Sequence, residues 1–276
     1  MRDLISPYET KHIPDKVDRV LQTYFKKLDD RLPNLLESFY LFGSVSIGPY
    51  QEGLSDIDFY AVIIRKLTEA DIVILKKIHK EMKSRFAISL DGMYVMREDL
   101  EGKNEGESSC PYFNDGKLQG FRPFQLNWID AFQLKKYGIV VKGLPIEKYN
   151  LSVDWNRLKT NLMHNINGYW LNWVNRCERI SSPQYFGLFV SSSMIEWGVL
   201  GVTRLFYSLR EEEITSKMGA GKYALSVVPE EYHLIIREAL RIRNGNKFSL
   251  YSSIFKRRTD ALKYMKFVIK KCNEQI

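Results

Sequence analysis

The residues with most chemistry to offer lie in YLFGSVSIGPYQEGLSDIDFYAVI, residues 40–63. Asp56 and Asp58 flank Ile57 at the start of an apolar run that reaches Ile64. In a strand, the side-chain period of two projects both carboxylates from one face. Paired carboxylates repel and desolvate each other unless a cation lies between them, and hard cations such as Mg²⁺ take oxygen ligands. Upstream, the apolar run Phe39 to Phe42 stops at Gly43-Ser44. A glycine after a strand lets the backbone approach a ligand, and the following amides and Ser hydroxyl can bond phosphate oxygens. Gly-Ser, eleven residues and then Asp-x-Asp therefore reads as a phosphate cradle beside a cation site. The bland alternative, in which Ser55-Asp56 starts a strand and Asp58 is merely exposed, leaves the upstream Gly-Ser without a role.

The elements that must hold these residues can be read in order. Residues 14–28 place Val17, Val20, Leu21, Tyr24, Phe25 and Leu28 at helical spacing, with Asp15 as a cap. Segment 35–42 is the first strand, and Phe59 to Ile64 the second. Residues 68–85 open with a Thr-x-x-Asp cap and repeat Ile72, Leu75, Ile78 and Met82, a second amphipathic helix. Residues 86–96 read as a third strand with Asp91 in its middle, where a charge is costly without a partner. Residues 99–123, polar and Gly-rich, read as an irregular loop, 124–137 as a helix, and 138–145 as a short strand ending a first domain, 1–150. From 151 to 276 the pattern changes to long helices, 154–179, 185–210, 229–243 and 252–273. Trp155, Trp170, Trp173 and Trp197 fall among them as core residues or cleft-lining faces.

Composition narrows the class. The chain of 276 residues, 45% hydrophobic and 27% charged, has room for two domains. No apolar run approaches 18 residues and the N-terminus carries charges, so neither a membrane span nor a signal peptide is expected. Three widely spaced cysteines fit no disulfide or zinc pattern, which points to a reducing cytoplasm. The four His residues show no paired ligand spacing, and the net charge of +8 favours anionic partners without any recognisable nucleic-acid module.

The Gly43-Ser44 and Asp56-x-Asp58 pattern resembles the signature of the polymerase β type nucleotidyltransferase superfamily. That resemblance implies an α+β fold: an N-terminal polymerase β-like nucleotidyltransferase domain, a mixed sheet with helices, followed by a C-terminal helical bundle. A second set of residues narrows it. Thr203-Arg204-Leu-Phe-Tyr-Ser208, Ile214-Thr-Ser-Lys217, Ala224, Val228-Pro229 and Glu238-Ala239 resemble the C-terminal domain of aminoglycoside adenylyltransferases of the spectinomycin/streptomycin 3''- and 9-type. The resemblance implies transfer of AMP from ATP to a hydroxyl of an aminoglycoside-like molecule. Asp56 and Asp58 would hold two Mg²⁺ ions, and Asp91 would be the general base or a third metal-site carboxylate. Gly43, Ser44 and Ser55 would contact phosphates, Lys217 would neutralise them, and Arg204 would assist.

The chain also departs from that family. Asp91 stands where the family has Glu, one methylene longer, and Arg243 where it has Tyr. Met194 stands where the family has an acid, leaving Glu196 as the nearest carboxylate for the acceptor. Aminoglycosides are polycations whose pockets need carboxylates, so a nucleotidyltransferase acting on RNA or protein, of toxin type, stays open beside the antibiotic reading. A non-catalytic nucleotide sensor is the third reading, and the intact Asp56, Asp58 and Asp91 argue against it. Monomer and dimer are both open.

Overall fold

The computed structural model describes residues 13–48, 50, 55–101, 108–123 and 128–274. Outside them fall residues 1–12, 49, 51–54, 102–107, 124–127 and 275–276, and with them part of the stretch expected as a loop over 99–123 and part of that expected as a helix over 124–137. The chain divides into two compact units, Met1–Val153 and Asp154–Ile276.

In the first unit, helix α1 (Asp15–Arg31) buries Val17, Val20, Leu21, Tyr24 and Leu28. Asp15 proves to be its first helical residue rather than a cap, an acid placed at the positive end of the helix. Strand β1 (Leu36–Phe42) leads through the short α2 (Ser44–Ile47) to β2 (Ile57–Ile63). Helix α3 (Glu69–Phe86) is opened by a capping box in which Thr68 and Asp71 satisfy each other's backbone amides. It supplies the crossover that a parallel pair requires, and returns to β3 (Leu90–Met96), parallel to β2. Phe86 thus ends the helix instead of starting the strand.

After the short α4 (Arg97–Leu100) the chain corrects the sequence reading. The stretch expected to be an irregular loop contains a hairpin, β4 (Ser109–Asn114) and β5 (Lys117–Pro123), turning at Asp115-Gly116. Both turn residues have positive φ, the conformation that Asp-Gly hairpins adopt. Helix α5 (Trp128–Tyr137) and strand β6 (Ile139–Lys142) close the unit. The sheet order is β5-β4-β3-β2-β1-β6, and every neighbouring pair except β2 and β3 is antiparallel.

Alternation along the strands decides which residues meet which layer. Phe39, Leu41, Ile57, Phe59, Ala61, Leu90 and Tyr94 pack with α1 and α3 residues in one core. Tyr40, Tyr60, Val62 and Val95 pack on the other face with Ala131 and Leu134 of α5. Asp56, Asp58 and Asp91 keep step with that second set, so period two puts all three carboxylates on the α5 side of the sheet.

The second unit has helices and no strand among its described residues. Helix α6 (Trp155–His164) passes through a π-helical turn, Asn165–Trp170, into α7 (Leu171–Glu178). The single 185–210 helix expected from sequence is two, α8 (Pro183–Val190) and α9 (Ser192–Glu211). Ser191 lies between them and its hydroxyl accepts the Met194 amide, a capping bond that starts a new helix at a 102° bend. Helix α10 (Lys217–Val227), unforeseen in the sequence, is followed by α11 (His233–Arg243) and α12 (Ile254–Glu274). Around α9 gather Trp170, Trp173, Val199, Leu200, Phe206, Ile236, Met265 and Val268 in one core. Among the described residues no single helix is long and apolar enough to cross a membrane.

Candidate active site

The first unit brings its carboxylates together by strand register. Asp58 and Asp91 are opposite one another on the parallel strands β2 and β3. Asp56, two residues upstream, is exposed just before β2 begins, and its Oδ1 accepts the Ser89 hydroxyl at 2.8 Å. Asp91, 8% exposed, is held by the unforeseen hairpin. Its Oδ2 accepts the Asn114 side-chain amide at 2.8 Å and its Oδ1 the Asp115 backbone amide at 2.9 Å. Each carboxylate oxygen has two lone pairs, so both bonds leave Asp91 able to accept from a further donor.

Gly43 meets a requirement that spacing did not reveal. Its φ is +63°, and a Cβ built on it would overlap the Asp58 carboxylate. The glycine therefore lets the backbone fold onto Asp58 as β1 ends, where Phe42 pairs with Asp58. The Ser44 amide then hydrogen-bonds the Asp58 carboxylate, and the Ser44 hydroxyl reaches the Asp56 carbonyl at 3.5 Å. Ser55, next to Asp56 in the chain, is buried.

A fourth carboxylate, Asp130 in the first turn of α5, was not singled out from sequence. It accepts the Tyr60 hydroxyl at 3.3 Å, and Tyr60 shares its sheet face with Asp58. Burial pushes Asp58 up to about 7, and the charges of Asp130, Asp91 and Asp56 add to the rise against the Ser44 amide. Burial likewise pushes Asp130 up to about 6. Asp91 is raised, first by burial and also by Asp56, with the Asp115 amide opposing. Among the described residues none of the four forms an ion pair with Lys or Arg. The cluster is thus rich in hard oxygen donors and short of positive charge, the environment that a divalent cation relieves. No three acidic, His or Cys side chains among the described residues already converge as a ligand set.

In the second unit Glu196 on α9, 8% exposed, is the centre of a charged group, and Arg204 is exposed on the same helix. Lys217, the first residue of α10, donates to Glu196 Oε1 and Oε2 at 3.1 and 3.3 Å. Arg243, the last residue of α11, approaches Oε1 at 3.5 Å. Burial lowers Lys217, Glu196 opposes, and the charges of Arg204 and Arg243 lower it further. Sequence reading marked Arg243 only as a departure and gave it no role.

Four other groups with reactive side chains lie elsewhere. Cys110, Cys177 and Cys272 are free and buried. His79 is enclosed against Phe59, Phe113 and Tyr94, with Nε2 2.8 Å from the Tyr94 hydroxyl, and burial lowers it to about 3.

Comparison with known proteins bears on this arrangement. Residues 194–267 match the family model of the aminoglycoside adenylyltransferase C-terminal domain, so the resemblance read from Thr203 to Ala239 holds. A search of curated proteins gave no match. Among solved structures, the chain is similar to the spectinomycin adenyltransferase AAD(9) from Enterococcus faecialis, crystallised with ATP and spectinomycin. The TM-score is 0.66 at 15% identity, over 90% of this chain and 99% of that one. The fold is therefore the α+β architecture expected, a mixed sheet with helices followed by a helical C-terminal unit, and the family match over residues 194–267 supports a nucleotidyltransferase enzyme.

Proposed function

We propose that the chain transfers AMP from ATP to a hydroxyl of a small molecule, most closely an aminoglycoside-like antibiotic of the spectinomycin kind, with pyrophosphate as the leaving group. The observation that carries the reading is the register of Asp58 with Asp91 on adjacent parallel strands, with Asp56 just upstream and Gly43 folded onto Asp58. The C-terminal family match and the likeness to an ATP- and spectinomycin-bound enzyme support the reaction class and the acceptor.

In this reading Asp56 and Asp58 would hold Mg²⁺, two ions in all, and the carboxylate-rich, cation-poor cluster has the donor chemistry for it. Bound there, Mg²⁺ would neutralise phosphoryl oxygens and align the attacking and leaving groups. Asp91 accepts the proton of the attacking hydroxyl, its carboxylate oriented by Asn114 and the Asp115 amide. With one methylene fewer than Glu, it needs the acceptor closer or a bridging water. Gly43, Ser44 and Ser55 contact the nucleotide phosphates, and Lys217 and Arg204 neutralise their charge. Three buried, free thiols are compatible with work in the cytoplasm.

One observation keeps a second acceptor class in play. Glu196, the acid assigned to the acceptor, is already paired with Lys217 and Arg243, which leaves it little to offer a polycation. An RNA or protein hydroxyl is the second reading. The test is transfer of labelled ATP, with Mg²⁺, to a panel including spectinomycin and streptomycin, then RNA and protein, alongside Asp56→Asn. Modification of one panel member by the wild type and none by Asp56→Asn is the expected result. Equal transfer by the variant would remove Asp56 from the metal site.

A further inference from the structure

The Glu196 cluster holds more positive than negative charge at one buried point. One carboxylate sits between Lys217 and Arg243, whose side chains are 16% and 22% exposed. Neither cation has another ion pair among the described residues, so among these one carboxylate faces two half-buried cations. The field of Arg204 falls on Lys217 as well. Lys217 is also the first residue of α10, an eleven-residue helix, so the positive helix end points into the same place. Three helices, α9, α10 and α11, converge to build it, with Ser216 fixing the start of α10 by accepting the Gly219 amide at 3.0 Å.

Resting on the nucleotidyltransferase reading, we propose that Arg243 is a further phosphate-binding residue of this chain and that Glu196 is a resident counter-anion which the nucleotide polyphosphate displaces. A carboxylate and a phosphate oxygen compete for the same donors. Guanidinium forks fit both, and a polyphosphate carries several charges where Glu196 carries one. Without nucleotide, Glu196 keeps two half-buried cations paired. With nucleotide, Lys217 and Arg243 turn to the phosphates and the carboxylate is released. The proposal also gives Glu196 a different role from acceptor binding.

Binding of inorganic tripolyphosphate and of ATP, measured calorimetrically without Mg²⁺ at fixed ionic strength, tests it on the full chain. Arg243→Gln is expected to weaken both by about tenfold and leave adenosine binding unchanged, while Arg243→Lys keeps much of the affinity. Glu196→Gln is expected to bind tripolyphosphate at least as tightly as the wild type. Its melting temperature falls without ligand and recovers with it. Wild-type affinity in Arg243→Gln, weaker binding in Glu196→Gln, or no tripolyphosphate binding by the wild type would each overturn the proposal. Asp56→Asn separates the two readings, because it should lose transfer and keep tripolyphosphate binding. Arg243-dependent binding in a wild type that transfers no nucleotide leaves the anion site standing and removes the enzyme reading. Transfer with an unchanged KM for ATP in Arg243→Gln does the reverse.

Discussion

Asp58 is the residue on which most of the N-terminal site bears. Its carboxylate lies against Gly43 Cα, takes the Ser44 amide and feels three other acids. Gly43→Ala forces a Cβ into that carboxylate at a positive φ. We expect a loss of about 1–2 kcal/mol in denaturant unfolding and a raised KM for ATP. A variant with wild-type stability and KM would show that the Gly43 turn adapts. Asp130→Asn keeps an acceptor for Tyr60 and removes one of the charges around Asp58. The Mg²⁺ concentration for half-maximal rate should rise about tenfold with kcat at saturating Mg²⁺ largely kept, as for groups that support a metal ligand from behind. An unchanged Mg²⁺ dependence would confine Asp130 to structure. Asp58 and Asp91 were legible in sequence because an acid inside an apolar strand is anomalous, and Asp56 because it completes Asp-x-Asp after Gly43-Ser44. Asp130 was not, since an acid in the first turn of a helix is ordinary dipole complementation.

Hairpin β4–β5 shows what sequence spacing hid. Strand β4 carries Pro111 and β5 carries Gly120, residues that weaken a strand pattern, so neither alternation nor β-propensity marked them. Asp115-Gly116 was the available signal, a turn dipeptide between two segments that pair in register. The hairpin matters because it delivers two donors to Asp91. Asn114→Ala withdraws one, and donors to a carboxylate favour its charged form, so Asp91 rises further. The acid limb of the kcat profile should move to higher pH, with activity at neutral pH reduced. An unmoved limb would mean that Asp91 does not titrate in the rate-determining step. Helix α10 escaped for another reason. Its KMGAGKYALSV carries two glycines that lower helix propensity. A Cβ on Gly221 would meet Leu240 of α11, so close packing rather than propensity sets that residue.

Each unit has its own core, and in the C-terminal one the most deeply buried acid joins several elements. Glu238 is fully buried and accepts Arg241 Nε and Nη2 at 2.8 and 2.9 Å, the Ser249 hydroxyl at 2.8 Å and the Leu250 amide at 2.9 Å. Arg257, 3.8 Å away, donates in turn to the Phe189 carbonyl, so the acid ties the α11–α12 connection to the end of α8. Sequence reading used Glu238 only as part of a resemblance, because nothing local says that a helical Glu is buried. Burial raises the Glu238 carboxyl, but Arg241, the Leu250 amide and Ser249 outweigh it and hold it below its ordinary value. A depressed carboxylate stabilises the fold above its unfolded pKa, and that stability is lost as pH falls through the folded value. Glu238→Gln leaves Arg241 and Arg257 without their anion, so a loss of about 3 kcal/mol is expected at pH 7, shrinking as the wild type itself is protonated in acid. Four of the five tryptophans, Trp155, Trp170, Trp173 and Trp197, lie in this unit, so indole fluorescence reads its unfolding against denaturant. A difference below about 1 kcal/mol at pH 7, or one that persists undiminished into acid, would mean that the charge on Glu238 does not hold these helices together.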